Sequence, residues 1–206
     1  MIEAKVHVQV GEFRLHAELQ GGGMICLAGK NGTGKTTLLR AIAGFLPISE
    51  GFVRIGATDI TQFPAEEREV VLVTPNTCIP HLGVDPHIVW GARLKGLRPQ
   101  GEYVLRVKSE LGIDYRGTVG NLSRGMRQRV ALATALLSSP RAILVDEAFL
   151  GLNEREAFVS TYGQLAKRAG VDVIFSSQDE ADGKLADYLY VLRNGLASLK
   201  QRDANS

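Results

Sequence analysis

Residues 29–37 read Gly29-Lys30-Asn31-Gly32-Thr33-Gly34-Lys35-Thr36-Thr37, a match to G-x-x-x-x-G-K-[ST]. Gly29, Gly32 and Gly34 let the backbone turn tightly, so that successive N–H groups point inward and form an anion nest. A helix starting near Lys35 adds its positive N-terminal end. The Lys35 ammonium can reach the outer phosphates of a triphosphate, and the Thr36 hydroxyl can enter the shell of a Mg²⁺ ion. Asn31, Thr33 and Thr37 complete the lining of the loop. A glycine-rich turn that only caps a helix is the bland alternative, and the flanking residues count against it. Met24 to Ala28 is a short apolar run of the kind buried on both faces of a sheet. After the loop, Leu38, Leu39, Ile42 and Ala43 recur at helical spacing, and Pro47 is expected to stop that helix.

On the N-terminal side, Val6, Val8 and Val10 alternate with polar residues, as do Phe13, Leu15, Ala17 and Leu19, with Gly11-Glu12 between them. That pattern predicts a β-hairpin. On the C-terminal side, Phe52 to Ile55 and Val70 to Val73 read as strands. The stretch 77–130 reads as helical, over 85–95, over 102–111 with Gly112 as C-cap, and over 124–137. Ile143 to Val145 and Val171 to Phe175 read as buried strands flanking a helix at 154–169. Tyr188 to Leu192, Asn194-Gly195 and Leu196 to Leu199 read as a closing hairpin. Strands alternating with helices predict an α/β fold, a mostly parallel sheet with antiparallel hairpins at its margins. A single domain over 1–206 is expected, with a core at 1–76 and 130–206 and an inserted α-helical lobe at 77–129.

Composition agrees with one folded unit. The chain has 206 residues, 45% of them apolar, enough for a sizeable core. Lys and Arg total 24 against 22 Asp and Glu, a net charge of +2. Such a balance argues against a nucleic-acid partner, which calls for a basic stripe; the cations are scattered, apart from Arg124, Arg127 and Arg129. The two cysteines, Cys26 and Cys78, have no metal-knuckle spacing and are too few for a disulfide framework, so a reducing compartment is expected. The N-terminal MIEAKVHVQV lacks the apolar core of a signal peptide, and no run of 18 apolar residues is present to span a membrane.

A second chemical signal lies at 142–147. Ala142-Ile143-Leu144-Val145-Asp146-Glu147 is an apolar strand ending in two carboxylates. In an α/β sheet, ligands sit beyond the carboxyl ends of the strands, where the phosphate loop also lies. Asp146 can therefore reach the magnesium, and Glu147 can polarise an attacking water. The pair could instead cap the following turn; its company with the loop favours the chemical role. Together they resemble the paired signals shared by many P-loop NTPases, and that resemblance implies a RecA-like sheet.

Between the two signals stands Leu122-Ser123-Arg124-Gly125-Met126-Arg127-Gln128-Arg129-Val130. Ser123 is a good N-cap for the helix at 124–137, and Gly125 allows close backbone approach. The segment resembles the ABC signature, LSGGQ-x-QRV, and the resemblance covers essentially the whole chain. It implies an ATPase that forms a head-to-tail dimer, homodimer or heterodimer, with Ser123 and Gly125 facing the γ-phosphate of ATP held by the second subunit. It also implies transmembrane permease subunits on separate chains, a substrate-binding protein in import systems, and a cytoplasmic position on the inner face of the membrane. Several positions depart from the family pattern. Arg124 replaces a glycine and Met126 a glutamine. Asn76 stands for a glutamine that reaches magnesium or water, and Asn153 for an aspartate, with helix N-capping as its alternative role. Gln178 stands for the switch histidine, and Ala148 for a proline. Glutamine can donate to a γ-phosphate oxygen but carries no positive charge, so slow hydrolysis is expected. The resemblance further implies an aromatic under the adenine; Phe13 is the candidate, or a core residue of its strand.

Pro64-Ala65-Glu66-Glu67-Arg68 and Ile79-Pro80-His81-Leu82-Gly83-Val84 resemble importer ATPases for molybdate, tungstate, sulfate or polyamines, where a similar stretch leads into the permease-docking face. His81 and His87 are then docking or structural residues rather than metal ligands. Many such importers carry a C-terminal β-barrel domain, whereas this chain stops at Ser206 soon after the closing hairpin. Small exporter subunits stop at a similar point, which leaves the direction of transport open. An alternative reading is a hydrolysis-poor, nucleotide-gated subunit, motivated by Asn76, Asn153 and Gln178. A soluble ABC protein of DNA repair or translation is disfavoured, since no coiled coil or duplicated cassette is present.

Overall fold

The computed structural model describes residues 1–202, with Gln201 and Arg202 described in backbone only. Two long strands open the chain, β1 (Ile2–Val10) and β2 (Phe13–Gly21), followed by β3 (Met24–Ala28) and helix α1 (Lys35–Ala43). Next come β4 (Glu50–Ile55), β5 (Thr58–Asp59) and β6 (Val70–Val73). A helical stretch follows, with α2 (Val84–Ile88), α3 (Trp90–Leu94), α4 (Gly101–Glu110) and α5 (Arg124–Leu137). The chain then runs through β7 (Ala142–Val145), α6 (Arg155–Arg168), β8 (Asp172–Ser177), β9 (Tyr188–Arg193) and β10 (Leu196–Arg202).

All ten strands join one sheet in the order β5-β4-β1-β2-β10-β9-β3-β8-β7-β6. Strands β9, β3, β8, β7 and β6 pair in parallel and form the expected core. Strands β1, β2, β4 and β5 form an antiparallel wing. The core strands are buried on both faces, and their side chains part by alternation. Cys26, Ile143, Val145, Val173 and Phe175 pack with α5 and α6 on one side. Ile25, Leu27, Ala142, Leu144 and Ile174 pack with α1 and the N-terminal wing on the other. Parallel pairing places the ends of β3, β7 and β8 together, and with them the phosphate loop and the acidic pair.

Four details differ from the sequence expectation. Helix α1 ends at Ala43, ahead of Pro47, because Gly44 adopts φ 86° and its N–H bonds back to the carbonyls of the last turn. The expected helix at 85–95 is two short helices broken at Val89 (φ −97°, ψ 0°). The bend lets both His87 and Gly91 lie against α5, where a Cβ on Gly91 would meet Ser138 Cβ at 3.1 Å. Helix α4 has Leu111 as its C-cap, and Gly112 (φ 63°) takes the next, left-handed position. The closing hairpin is not marginal. Strand β9 has Tyr188 to Leu192 all buried and sits inside the sheet between β3 and β10, which in turn touches β2.

Candidate functional site

The phosphate loop leaves β3 at a fixed point. Gly29 N–H donates to Ser177 O at 3.0 Å, which ties the root of the loop to the end of β8. A Cβ on Gly29 would lie 2.5 Å from Leu192 O and 2.8 Å from Thr33 Oγ1, so only glycine allows the loop to pass β9. Thr33 folds its hydroxyl onto Lys30 O at 2.9 Å and stays within the loop wall. Gly34 precedes α1 with φ 106° and offers no side chain to cap it. Helix geometry therefore leaves the first N–H groups of α1 without intrahelical acceptors, a row of donors suited to an anion.

Those donors face an open cleft of about 550 Å³ lined by Val10, Phe13, Asn31, Gly32, Gly34, Lys35, Thr36, Thr37 and Glu147. Lys35 is only 6% exposed, and its ammonium donates to Gly29 O at 2.6 Å and Lys30 O at 2.9 Å. Burial pushes its pKa below the ordinary lysine value, and the carboxylates of Glu147 and Asp146 pull against that shift. Phe13 stands at the mouth, its ring so close to Gly34 that a Cβ there would meet Phe13 Cζ at 2.8 Å.

The acidic pair follows the end of β7, and of the two only Glu147 lines this cleft. Asp146 is 8% exposed and accepts from Ser176 Oγ at 3.0 Å. Glu147 turns away from the strand with φ 58°, a left-handed backbone rarely taken by a residue with a side chain, and its N–H donates to Ser176 Oγ at 2.9 Å. That turn brings Glu147 into the cleft that holds Lys35 and Thr36.

Other candidates lie elsewhere. Asn76 is exposed and lines a second cleft of about 710 Å³ with Pro75, Cys78, Pro80, Gly120, Arg124 and Arg127. Gln178 is exposed at the end of β8, held between Ser177 and Asp179, whose N–H donates to Ser177 Oγ at 3.0 Å. Ser123 caps α5 as expected, accepting from Met126 N at 3.3 Å. Gly125 is not demanded by packing within the chain: an added Cβ would meet nothing nearer than Gly151 O at 3.6 Å. His87 is a buried structural residue, hydrogen-bonded to Ile79 N and Thr134 Oγ1, and His81 is exposed. No cluster of three or more His, Cys, Asp or Glu suited to a metal occurs among the described residues.

Sequence reasoning passed over Ser176, which bridges Asp146 and Glu147, and the pair of the part-buried Arg155 with the buried Asp182, which braces Ser177. The available signal was two hydroxyls ending an apolar strand whose neighbour ends in two carboxylates.

Comparison with known proteins agrees with this geometry. The family model for the ABC transporter matches residues 13–150. The spermidine/putrescine import ATP-binding protein PotA of Vibrio cholerae is 32% identical over 190 residues, 88% of this chain and 50% of that protein. The Fe(3+) ions import ATP-binding protein FbpC 1 of Pectobacterium atrosepticum is 31% identical, over 88% of this chain and 54% of that protein. The chain thus spans about half the length of these curated relatives. The dimeric structure of a bacterial ABC transporter cassette superposes with a TM-score of 0.82 at 22% identity, covering 99% of this chain and 100% of that one, a likeness of fold. The family match takes in the phosphate loop, the signature stretch and the acidic pair, and with this identity over nearly nine-tenths of its length the chain belongs to the ABC transporter family.

Proposed function

We propose that this chain is the ATP-binding and ATP-hydrolysing subunit of an ABC importer, driving a separate permease through nucleotide-dependent dimerisation. The carrying observation is the convergence of Lys35, Thr36 and Glu147 on one cleft with Phe13 at its mouth. The triphosphate lies along the N–H groups of residues 31–37, with Lys35 released from its loop carbonyls to the phosphates and the adenine against Phe13. The donor set fits magnesium: the Thr36 hydroxyl in the cleft and the buried Asp146 carboxylate next to Glu147, near enough to act on Lys35. When bound, the ion neutralises charge on the phosphates. Asn76, in the second cleft, is a candidate for that shell only in the nucleotide-bound state. Glu147 orients and polarises the attacking water, and Gln178 donates to the γ-phosphate. Ser123 and Gly125 contact the nucleotide of a second copy or of another ABC ATPase. Residues 1–76 and 130–206 act as the nucleotide-carrying core and 77–129 as the helical lobe. The importer-type relatives support a polyamine or inorganic-ion system with a substrate-binding protein, and a cytoplasmic place at the inner face of the membrane.

Steady-state ATP turnover of the purified chain against Glu147→Gln and Lys35→Ala tests this reading. Turnover that falls at least about tenfold in Glu147→Gln, with binding kept, and binding lost in Lys35→Ala support it. Wild-type turnover no higher than that of Glu147→Gln favours a nucleotide-gated, hydrolysis-poor subunit, a reading suggested by the uncharged Gln178. In that case Gln178→His raises the rate.

A further inference from the structure

We infer that Ser176 is a positioning residue that sets both carboxylates of the site through one hydroxyl. The inference rests on the roles proposed for Asp146 and Glu147. Ser176 is 1% exposed, the penultimate residue of β8, beside the end of β7. The registers Val145↔Phe175 and Leu27↔Ser176 place it between the acidic pair and the strand that launches the phosphate loop. Its single proton is committed to Asp146 Oδ1 at 3.0 Å. Its lone pairs accept the Glu147 N–H at 2.9 Å. The first bond occupies Asp146 Oδ1 and so sets the orientation of the carboxylate, with Oδ2 turned from Ser176. The second satisfies a donor that the left-handed turn at Glu147 (φ 58°) removes from the β-ladder.

The arrangement has an economy that either bond alone would lack. A buried serine hydroxyl needs both a donor and an acceptor role to offset its desolvation, and here the two partners are consecutive residues with different tasks. Removing the hydroxyl leaves the Glu147 N–H unpaired, so the residue can relax from its strained turn and carry its carboxylate out of the cleft. Asp146 loses its rotamer lock at the same moment. Ser176 shares no hydrogen bond with Lys35 or Thr36, so affinity for the metal-free nucleotide is spared.

The test compares wild type with Ser176→Ala and Ser176→Cys, the latter keeping a weaker donor and acceptor in a similar volume. Four quantities are read: kcat and KM for Mg-ATP, the ratio of ATP affinities with Mg²⁺ and with EDTA, and amide exchange at Glu147 in the nucleotide-free protein. Ser176→Ala is expected to lower kcat at least about tenfold, to leave ATP affinity in EDTA within about twofold, to shrink the magnesium-dependent gain in affinity several-fold with a matching rise in KM for Mg-ATP, and to speed Glu147 exchange. Ser176→Cys falls between. A kcat kept within twofold in Ser176→Ala, or unchanged Glu147 exchange, overturns the inference. Asp146→Asn and Glu147→Gln run alongside. If these leave turnover and magnesium dependence intact, the proposed site roles fail; if they abolish both while Ser176→Ala is silent, only the role of Ser176 fails.

Discussion

Arg155 grips the buried Asp182 with both terminal nitrogens, Nη1 to Oδ1 at 2.9 Å and Nη2 to Oδ2. Ser177 Oγ donates to the same Oδ2, and Ser177 is the residue whose carbonyl holds Gly29 at the root of the phosphate loop. The pair therefore links the start of α6 to the end of β8 beside Gln178. Burial alone would raise the Asp182 carboxyl, but Arg155 and Ser177 outweigh it and hold its pKa below the ordinary aspartate value. Asp182→Ala would strand a guanidinium that is only 23% exposed, with its Nε already lacking a partner. We expect a loss of about 3–5 kcal/mol in unfolding free energy by denaturant titration. Replacing both partners by apolar residues should recover most of it, and a double-mutant cycle would show the two losses to be far from additive.

His87 makes stability depend on pH in a stated direction. Its Nε2 accepts from Ile79 N–H at 3.0 Å, so the ring proton sits on Nδ1 and donates to Thr134 Oγ1 at 2.9 Å. A second proton would have to displace the Ile79 bond. Burial lowers the pKa from the ordinary histidine value, opposed by a hydrogen bond to the His87 backbone. The unfolded chain then binds the proton more readily than the folded one, so this contribution to stability is complete above the unfolded pKa of about 6.5 and is lost as pH falls below it. Chemical denaturation between pH 7.5 and 5 should show the loss, at up to about 1.4 kcal/mol per pH unit. His87→Gln should flatten that slope.

Arg68 is 5% exposed and has no carboxylate partner among its hydrogen bonds. Its guanidinium donates instead to four carbonyls, those of Ala41 and Ile42 in the last turn of α1 and of Thr61 and Phe63. The carbonyl end of the helix dipole takes the place of a counter-ion. Its planar fork also presses on Gly44, where a Cβ would stand 2.6 Å from Nε. A lysine has one nitrogen and no fork, so Arg68→Lys should lose nearly as much stability as Arg68→Ala, about 2–3 kcal/mol by thermal or denaturant unfolding. Equal stability of wild type and Arg68→Lys would show that charge alone suffices.

The sequence made the elements legible wherever local signals sufficed. The loop at 29–37, the buried runs at Met24–Ala28 and Ala142–Val145, and the capped helix Arg124–Leu137 each carry their own pattern, and the structure keeps them within a residue or two. The Ser176, Asp182 and Arg68 contacts were not legible, because their partners lie up to 30 residues away and no spacing rule joins them. The position of β9 was hidden for the same reason. A hairpin pattern states which strand it pairs with locally, and pairing with β3 across the sheet is a tertiary choice. At α1 the error was one of rank between two stop signals. Gly44 ended the helix before Pro47 could, since its left-handed cap also makes room for Arg68.

Gly34 is held to glycine twice over. Its φ of 106° disfavours any side chain, and a Cβ would press on Phe13 Cζ at 2.8 Å and Leu15 Cδ1 at 3.1 Å. Gly34→Ala must therefore either reshape the first turn of α1 or push Phe13 from the mouth of the cleft. We expect Mg-ATP affinity by calorimetry to fall by at least about tenfold, about 1.4 kcal/mol. Gly32, at φ 79° with open space around it, separates the two causes: Gly32→Ala carries the backbone strain without the collision, and should lose less.

Gly125 offers a test of the proposed dimer that leaves the fold alone. Its backbone is helical, and an added Cβ would meet Gly151 O at 3.6 Å and Leu152 Cδ2 at 3.9 Å, ordinary contact distances. Nothing within the chain forbids alanine, and helix propensity alone would raise stability by up to about 1 kcal/mol. In the proposed dimer, the space left open at the N-terminus of α5 is where a second copy would bring its nucleotide against Ser123 and Gly125. Gly125→Ala should leave the melting temperature and monomeric ATP affinity unchanged or slightly improved, and Gly125→Val, a poorer helix former, should keep monomeric ATP affinity. In a Glu147→Gln background, where slowed hydrolysis should accumulate the ATP-bound dimer, light scattering should show that dimer for the parent and a monomer for Gly125→Val. A dimer of equal strength in both would mean that the signature helix does not meet the nucleotide of its partner.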